Sequence, residues 1–320
     1  MTLRLIALAW ALLFATASAA QSAYPSRPVR FIVPSSSGGG TDIITRAIAI
    51  KLAERLGQPF VVENRPGATG IIGYEMLAKA EPDGHTILTA ASPITINPVL
   101  YKKVPYDVLR DYAPITLLAT VPNILLVHPS VPAQSLQELV ALAKAQPGHF
   151  HYASAGLGSS PHMSMELLKG MAGMDIAHVP YKGTGPGLID LLAGRVATMM
   201  TNVLSAVPHV KSGKLRALGV SGSRRSSVMP DVPTIAEAGV AGYDVMQWYG
   251  VLAPAGTPRD IILRLHAEIV RALALPDVKE RLAADGAEAV GSTPEAFGVL
   301  IRSEVTRWAA VAKNAGIQPE

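Results

Sequence analysis

The chain has no cysteine in 320 residues. That excludes disulfides, zinc–thiolate and iron–sulfur ligation, thiol nucleophiles and lipidation of an N-terminal cysteine. Aromatic residues make up only 5%, too few for a nucleic-acid surface built on stacked rings. Charged residues are 16% against 49% hydrophobic, which excludes an intrinsically disordered chain. Lys and Arg number 28 against 24 Asp and Glu, and they are scattered rather than gathered into a stripe. No nucleic-acid partner is therefore expected. After the first twenty residues no apolar run is long enough to span a bilayer, which takes about 20 residues.

The N-terminus does carry a pattern. Arg4 precedes an apolar run from Leu5 to Ala15, and Ala17-Ser18-Ala19-Ala20 supplies small residues before a polar restart. This reads as a cleaved secretory signal over 1–20, cut after Ala19 or Ala20, and it points to an exported protein.

Beyond it, strand-like and helix-like segments alternate. Val29–Val33 reads as a buried strand, followed by a Ser/Gly loop and a helix with Ile44, Ile48, Leu52 and Leu56 on one face. Ser135 and Glu138 have capping-box spacing. A second strand ends at Ala153, a Gly/Ser loop spans 154–160, and Pro161 opens another helix. Thr257-Pro258 and Thr293-Pro294 mark two further helix starts. The alternation predicts an α/β fold with mostly parallel sheets. Two extended apolar segments, 124–127 and 249–253, are candidates for strands crossing a hinge. The expected division is lobe 1 from 21–121 plus 248–320, and lobe 2 from 122–247.

Both Gly/Ser loops stand between a strand and a helix start, where open α/β sheets bind ligands. Hydroxyls, unhindered backbone N–H groups and the partial positive charge of a helix N-terminus suit an anion, most simply a carboxylate. Taken singly, each loop reads better as a capped turn; the two together favour a ligand site. Enzyme motifs fail on inspection. Gly38-Gly39-Gly40-Thr41-Asp42 lacks the ending of a phosphate-binding P-loop, and the segment after Gly156 and Gly158 lacks a third glycine. Gly219-Val220-Ser221-Gly222-Ser223 misses the last glycine of a nucleophile elbow. His162 and His178 stand alone in the sequence, so neither a metal site nor a cofactor is expected.

Ordered blocks through nearly the whole chain resemble one family. They include Tyr24-Pro25-Ser26-Arg27-Pro28-Val29, the glycine loop to Asp42, Val62-Glu63-Asn64-Arg65-Pro66-Gly67-Ala68 and Pro82-Asp83-Gly84-His85-Thr86. Further blocks are Tyr152-Ala153-Ser154-Ala155-Gly156, His178-Val179-Pro180-Tyr181-Lys182-Gly183, Pro230-Asp231-Val232-Pro233-Thr234 and Ala253-Pro254-Ala255-Gly256-Thr257-Pro258. Together they resemble the Bug/TctC family, the extracytoplasmic solute-binding receptors of tripartite tricarboxylate transporters. The resemblance implies a two-lobe periplasmic binding protein of Venus-flytrap type, type II-like, with two crossing strands at the hinge. It implies a monomer that captures a small organic carboxylate and passes it to the membrane subunits of such a transporter, without catalysis.

Carried over by position, the binding residues are Ser36, Gly39, Thr41, Asp42 and Ser92 in the first lobe. Ala155, Gly158, Ser159, Ser160 and Asn202 are their counterparts in the second, and Tyr181 lies in a segment resembling a lid. Two departures stand out. Ser35-Ser36-Ser37 replace an aromatic and prolines usual in the family, and Thr201-Asn202 stands where Asp-Asn is common. The missing Asp argues against an amino-acid ligand and for a plain organic acid, aromatic or dicarboxylic. Two other functions compete: a ligand-dependent sensor docking on a membrane signalling protein, and a secreted α/β hydrolase, which would need a base beside an exposed nucleophilic serine.

Overall fold

The structure is a computed structural model that describes residues 24–38, 40–284 and 286–319. The expected signal over 1–20 lies outside the described residues, and so does Gly39. No helix among the described residues is long and apolar enough to cross a membrane.

Val29–Val33 (β1) is buried along nearly its whole length, as a strand covered on both faces must be. It pairs in parallel with β2 (Phe60–Asn64) on one side and β3 (Thr86–Ala91) on the other. Between β1 and β2 runs α1 (Gly40–Leu56), which buries Ile44, Ile48 and Leu52 against the sheet. Asp42 in its first turn and Arg55 in its last complement the helix dipole. A 3₁₀ turn at Ala68–Gly70 leads into α2 (Ile71–Ala78). After β3 comes α3 (Pro93–Leu100).

The centre of the sheet is β4 (Tyr112–Val127), sixteen residues long. From Tyr112 to Pro122 it pairs antiparallel with β9 (Met246–Pro254), which in turn pairs antiparallel with β3. From Asn123 to Val127 the same strand changes partners, to β7 (Thr198–Asn202) and β8 (Arg216–Val220). β5 (His151–Ser154) then pairs in parallel with β7 and with β6 (Ala177–Pro180). The path is β2-β1-β3-β9-β4-β7-β5-β6, with β8 and the short β10 (Glu288–Ala289) also on β4. The blocks at either end are parallel, as the alternating pattern predicts, while the middle around β4 and β9 is antiparallel. Pro114 sits beside a register shift, where a residue without an N–H is tolerated.

The second half carries α4 (Leu136–Ala145), α5 (Ser160–Ala172), α6 (Thr184–Leu192) and α7 (Val203–Lys211). Ser135 caps α4 by accepting from the Glu138 N–H at 3.2 Å. The Glu138 carboxylate accepts from Gln134 rather than from Ser135, so the capping box is displaced by one residue. Three helices close the chain: α8 (Arg259–Leu273), α9 (Pro276–Ala284) and α10 (Pro294–Asn314). Thr293 caps α10 through the Ala296 N–H. Thr257 does not cap α8: its hydroxyl donates to the Pro254 carbonyl, and Pro258 occupies the cap position.

The buried side chains form separate clusters on either side of the β4 partner change. Phe31, Ile48, Leu52, Val251 and Leu265 belong to one, and Leu125, Tyr152, Met163 and Met200 to another. α10 joins both sides. Phe297 and Ile301 pack with Trp248 and Leu88, whereas Trp308 and Val311 pack with Leu125 and Met163.

Candidate functional site

A cleft of about 920 Å³ opens where β4 changes partners. Its lining includes Ser35, Ser36, Gly38, Gly40 and Thr41 from the first loop, and Ala155, Gly156, Ser159 and Ser160 from the second. Six helix starts contribute: Thr41 of α1, Gly70 before α2, Pro93 of α3, Ser160 of α5, Thr184 of α6 and Asn202 before α7. Among the described lining residues there is no Lys, Arg, His, Asp or Glu. Polar recognition therefore falls to hydroxyls, amides and backbone N–H groups at positive helix ends.

The first loop is fastened from behind. Asp42, one of the expected ligand contacts, does not line the cleft. Its carboxylate accepts from the Gly38 N–H at 2.9 Å, from Arg46 Nε at 3.0 Å and from Asn64 Nδ2 at 2.9 Å. Asn64 Nδ2 also donates to the Ser35 carbonyl, and Arg46 reaches Asn64 Oδ1. Burial pushes the Asp42 carboxyl up, but the bonds from Arg46, Gly38 and Asn64 outweigh it and hold the group below the usual carboxylate range. Ser92 is buried too: its Oγ accepts from the Trp248 N–H at 3.2 Å, tying the start of α3 to β9.

β9 supplies two residues that the sequence reading missed. Gln247 and Tyr249 alternate along the strand, so they share a face, and both line the cleft. Gln247 Nε2 donates to the Tyr249 hydroxyl at 2.7 Å. A Cβ on Gly40 would lie 2.7 Å from that hydroxyl, so glycine is what lets the ring meet the α1 start.

In the second loop, Ser159 caps α5 through the His162 N–H at 3.3 Å and donates to the Gly156 carbonyl at 2.7 Å. Ser160 Oγ accepts from Asn123 Nδ2 at 3.0 Å, which links the loop to β4 at its partner change. Gly158 is not a lining residue. Its N–H donates to His162 Nδ1, and a Cβ there would meet Leu100 of α3 at 2.2 Å. Tyr181 also stands off the cleft. Its hydroxyl donates to Asp190 at 2.7 Å, and burial with the Asp190 charge pushes its pKa up to about 12. Its neighbours fasten the loop, since Gly183 N–H donates to the Ala155 carbonyl. Asn202 lines the cleft and caps α7 by accepting from the Leu204 N–H. Thr201 is fully buried beside it.

Of the expected residues, then, Ser36, Thr41, Ala155, Ser159, Ser160 and Asn202 meet at one cleft, Asp42, Ser92, Gly158 and Tyr181 support it, and Gly39 lies outside the described residues. Thr69, Tyr74, Thr184, Ser205, Gln247 and Tyr249 are polar lining residues that sequence reasoning did not place at the site. A helix-start signal could have found Thr184, after Gly183; nothing local marks Gln247.

An α/β frame with a solvent cleft lined by helix N-termini is that of a periplasmic solute-binding protein. Residues 44–317 match the family described as tripartite tricarboxylate transporter family receptor, TctC, and the chain belongs to that family. It is a receptor family of binding proteins, not enzymes. The chain is 41% identical to protein BugT of Bordetella pertussis over 295 residues, covering 92% of this chain and 90% of that one. Among solved structures it resembles Rpa4515 of R. palustris with adipate (38% identity, TM-score 0.81, 93% and 100% of the two chains). It is also similar to MatC of Rhodopseudomonas palustris with bound malate (36% identity, TM-score 0.77, 90% and 99%).

Proposed function

We propose that this receptor captures a small organic carboxylate in the cleft between its two Gly/Ser loops and delivers it to the membrane subunits of a tripartite tricarboxylate-type transporter. The observation that carries the reading is a cleft with six helix starts and no described charged side chain on its wall. Such a surface attracts an anion through fixed dipoles and discriminates against cations without a permanent counter-charge. Relatives with bound adipate and malate support a carboxylate as that anion. Ala91, Pro93, Leu157 and Leu204 in the lining would take the apolar body of the acid.

The lobes in this reading are 21–121 with 248–320, and 122–247; the partner change of β4 after Pro122 supports the boundary. α10 serves both, because its two ends pack on different clusters. The protein works as a monomer in the periplasm, exported by a signal cleaved after Ala19 or Ala20. N-terminal sequencing of periplasmic protein tests that cleavage, and an intact Met1 would overturn it.

Calorimetry with adipate, malate and an aromatic monocarboxylate, each beside its neutral amide, tests the site itself. At least one acid should bind, and its amide should bind much more weakly. Equal affinity of acid and amide would sink the anion reading and leave both loops as ordinary turns.

A further inference from the structure

His162 and His178, isolated in the sequence, are stacked in the structure. Their ring centroids are 4.2 Å apart with an interplanar angle of 24°, and His178 stacks in turn on Tyr152 at 4.7 Å and 19°. The three rings come from α5, β6 and β5, and they form a column under the second loop. Its outer end is tied to an ion pair: the Tyr152 hydroxyl donates to Glu166 Oε1 at 2.5 Å, and Lys169 Nζ donates to the same carboxylate at 2.8 Å. At the inner end, the column holds the backbone of both loop glycines. Gly158 N–H donates to His162 Nδ1 at 3.2 Å. Gly156 N–H donates to Ser154 Oγ at 3.1 Å, and that hydroxyl is 2.7 Å from His178 Nε2.

We propose that His162 and His178 are positioning residues for ligand capture: the ring column fixes the amides of Gly158 and Gly156 so that Ser159 and Ser160 face the cleft. Both glycines have left-handed φ, +119° at Gly156 and +72° at Gly158, a shape with few intrinsic restraints on a glycine backbone. Hydrogen bonds to the glycine N–H groups must help select it. An acceptor at each N–H does so, and a histidine can serve as one only while the accepting nitrogen is unprotonated. Burial provides that state. It holds His162 at about 3 and His178 at about 4, with Lys169 adding to both shifts and Glu166 opposing the second. His162 is therefore neutral with its proton on Nε2.

The geometry makes a sharp distinction between two substitutions. An asparagine places its carbonyl oxygen where His Nδ1 stands, while a glutamine places its own near Nε2. His162→Asn should keep the acceptor for Gly158, and H162Q should lose it. The test uses the mature full-length chain, with amide hydrogen exchange by NMR as the first readout. The Gly158 N–H should exchange about tenfold faster in H162Q than in the wild type, the size of one neutral hydrogen bond, and stay protected in H162N. In Ser154→Ala, Gly156 should lose protection while Gly158 keeps it. Unchanged Gly158 exchange in H162Q, or equal loss in both His162 variants, would overturn the proposal.

The second readout is calorimetric affinity for adipate, and it rests on the carboxylate reading above. H162Q should bind about tenfold more weakly than the wild type and H162N nearly as well. If exchange differs but both variants bind adipate like the wild type, the column does not position the ligand loop, and the inference fails. If the wild type binds no carboxylate at all, the carboxylate reading falls, and the exchange arm alone still decides whether the column holds the loop.

Discussion

The loop after β1 is fastened by charge, with Asp42 held among Arg46, Asn64 and the Gly38 amide. The loop after β5 is fastened by neutral groups: His162 Nδ1 accepts from the Gly158 amide, and Ser154 Oγ, 2.7 Å from His178 Nε2, accepts from the Gly156 amide. Both solutions keep the fastening group behind the loop rather than on the cleft wall, so the described wall carries no charged side chain. The difference lies in what disturbs them. A carboxylate acceptor fails only when it is protonated in acid, whereas a buried imidazole acceptor resists protonation at a cost to the stability of the fold.

That contrast predicts the largest effect, on pH. The two histidines have folded pKa values, about 3 and about 4, below the unfolded value near 6.5. The unfolded chain therefore binds more protons between those limits. Their contribution is fully present above about pH 6.5 and is lost as pH falls toward 4, at about 1.4 kcal/mol per pH unit for each group. Asp42 has the lowered pKa of a bonded carboxylate, so its contribution holds above about pH 4 and goes only in stronger acid. Urea unfolding at pH 7 and pH 5 should show a clear loss of stability, smaller in H162N. An equal loss in H162N would remove His162 from the account.

A smaller effect is expected on breaking the charged fastening. Asp42→Ala leaves the Gly38 amide and Arg46 without their acceptor and should cost about 1.5–3 kcal/mol at pH 7, measured by denaturant titration. Asp42→Asn should recover part of this by keeping one acceptor oxygen. If the alanine variant is as stable as the wild type, the first loop is held by something else.

The smallest effect belongs to the wall. Ser159→Ala removes the cap on α5 and the bond to Gly156 and should cost about 0.5–1.5 kcal/mol of stability. Ligand affinity, read by calorimetry, should fall by less than in H162Q, because the loop backbone remains fastened.

Much of this frame is legible in residue order. The strand before each glycine loop, the caps at Ser135 and Thr293, and the buried face of α1 all follow from local rules of spacing and hydrogen bonding, whereas the cap before Pro161 falls on Ser159, one residue earlier than its place ahead of the proline suggests. α3 is harder to see because Pro98 lies inside it. The cleft is less legible than its loops. Gln247 and Tyr249 reach it from a strand far along the chain, and Asp42 looks like a ligand contact by position but is turned onto Gly38 and Arg46. His162 and His178 look unrelated in sequence, since only the pairing of β5 with β6 and the seating of α5 bring their rings together.

The final helix has a mechanical consequence. α10 is 21 residues long, roughly 31 Å at about 1.5 Å per residue, with Phe297 anchored in one cluster and Trp308 in another. It acts as a splint across the point where β4 changes partners. Relative movement of the two sides is then steered into rotation about the splinted edge, because sliding or pulling apart would draw Phe297 or Trp308 out of its socket. Any swing at the cleft mouth would leave that edge clamped.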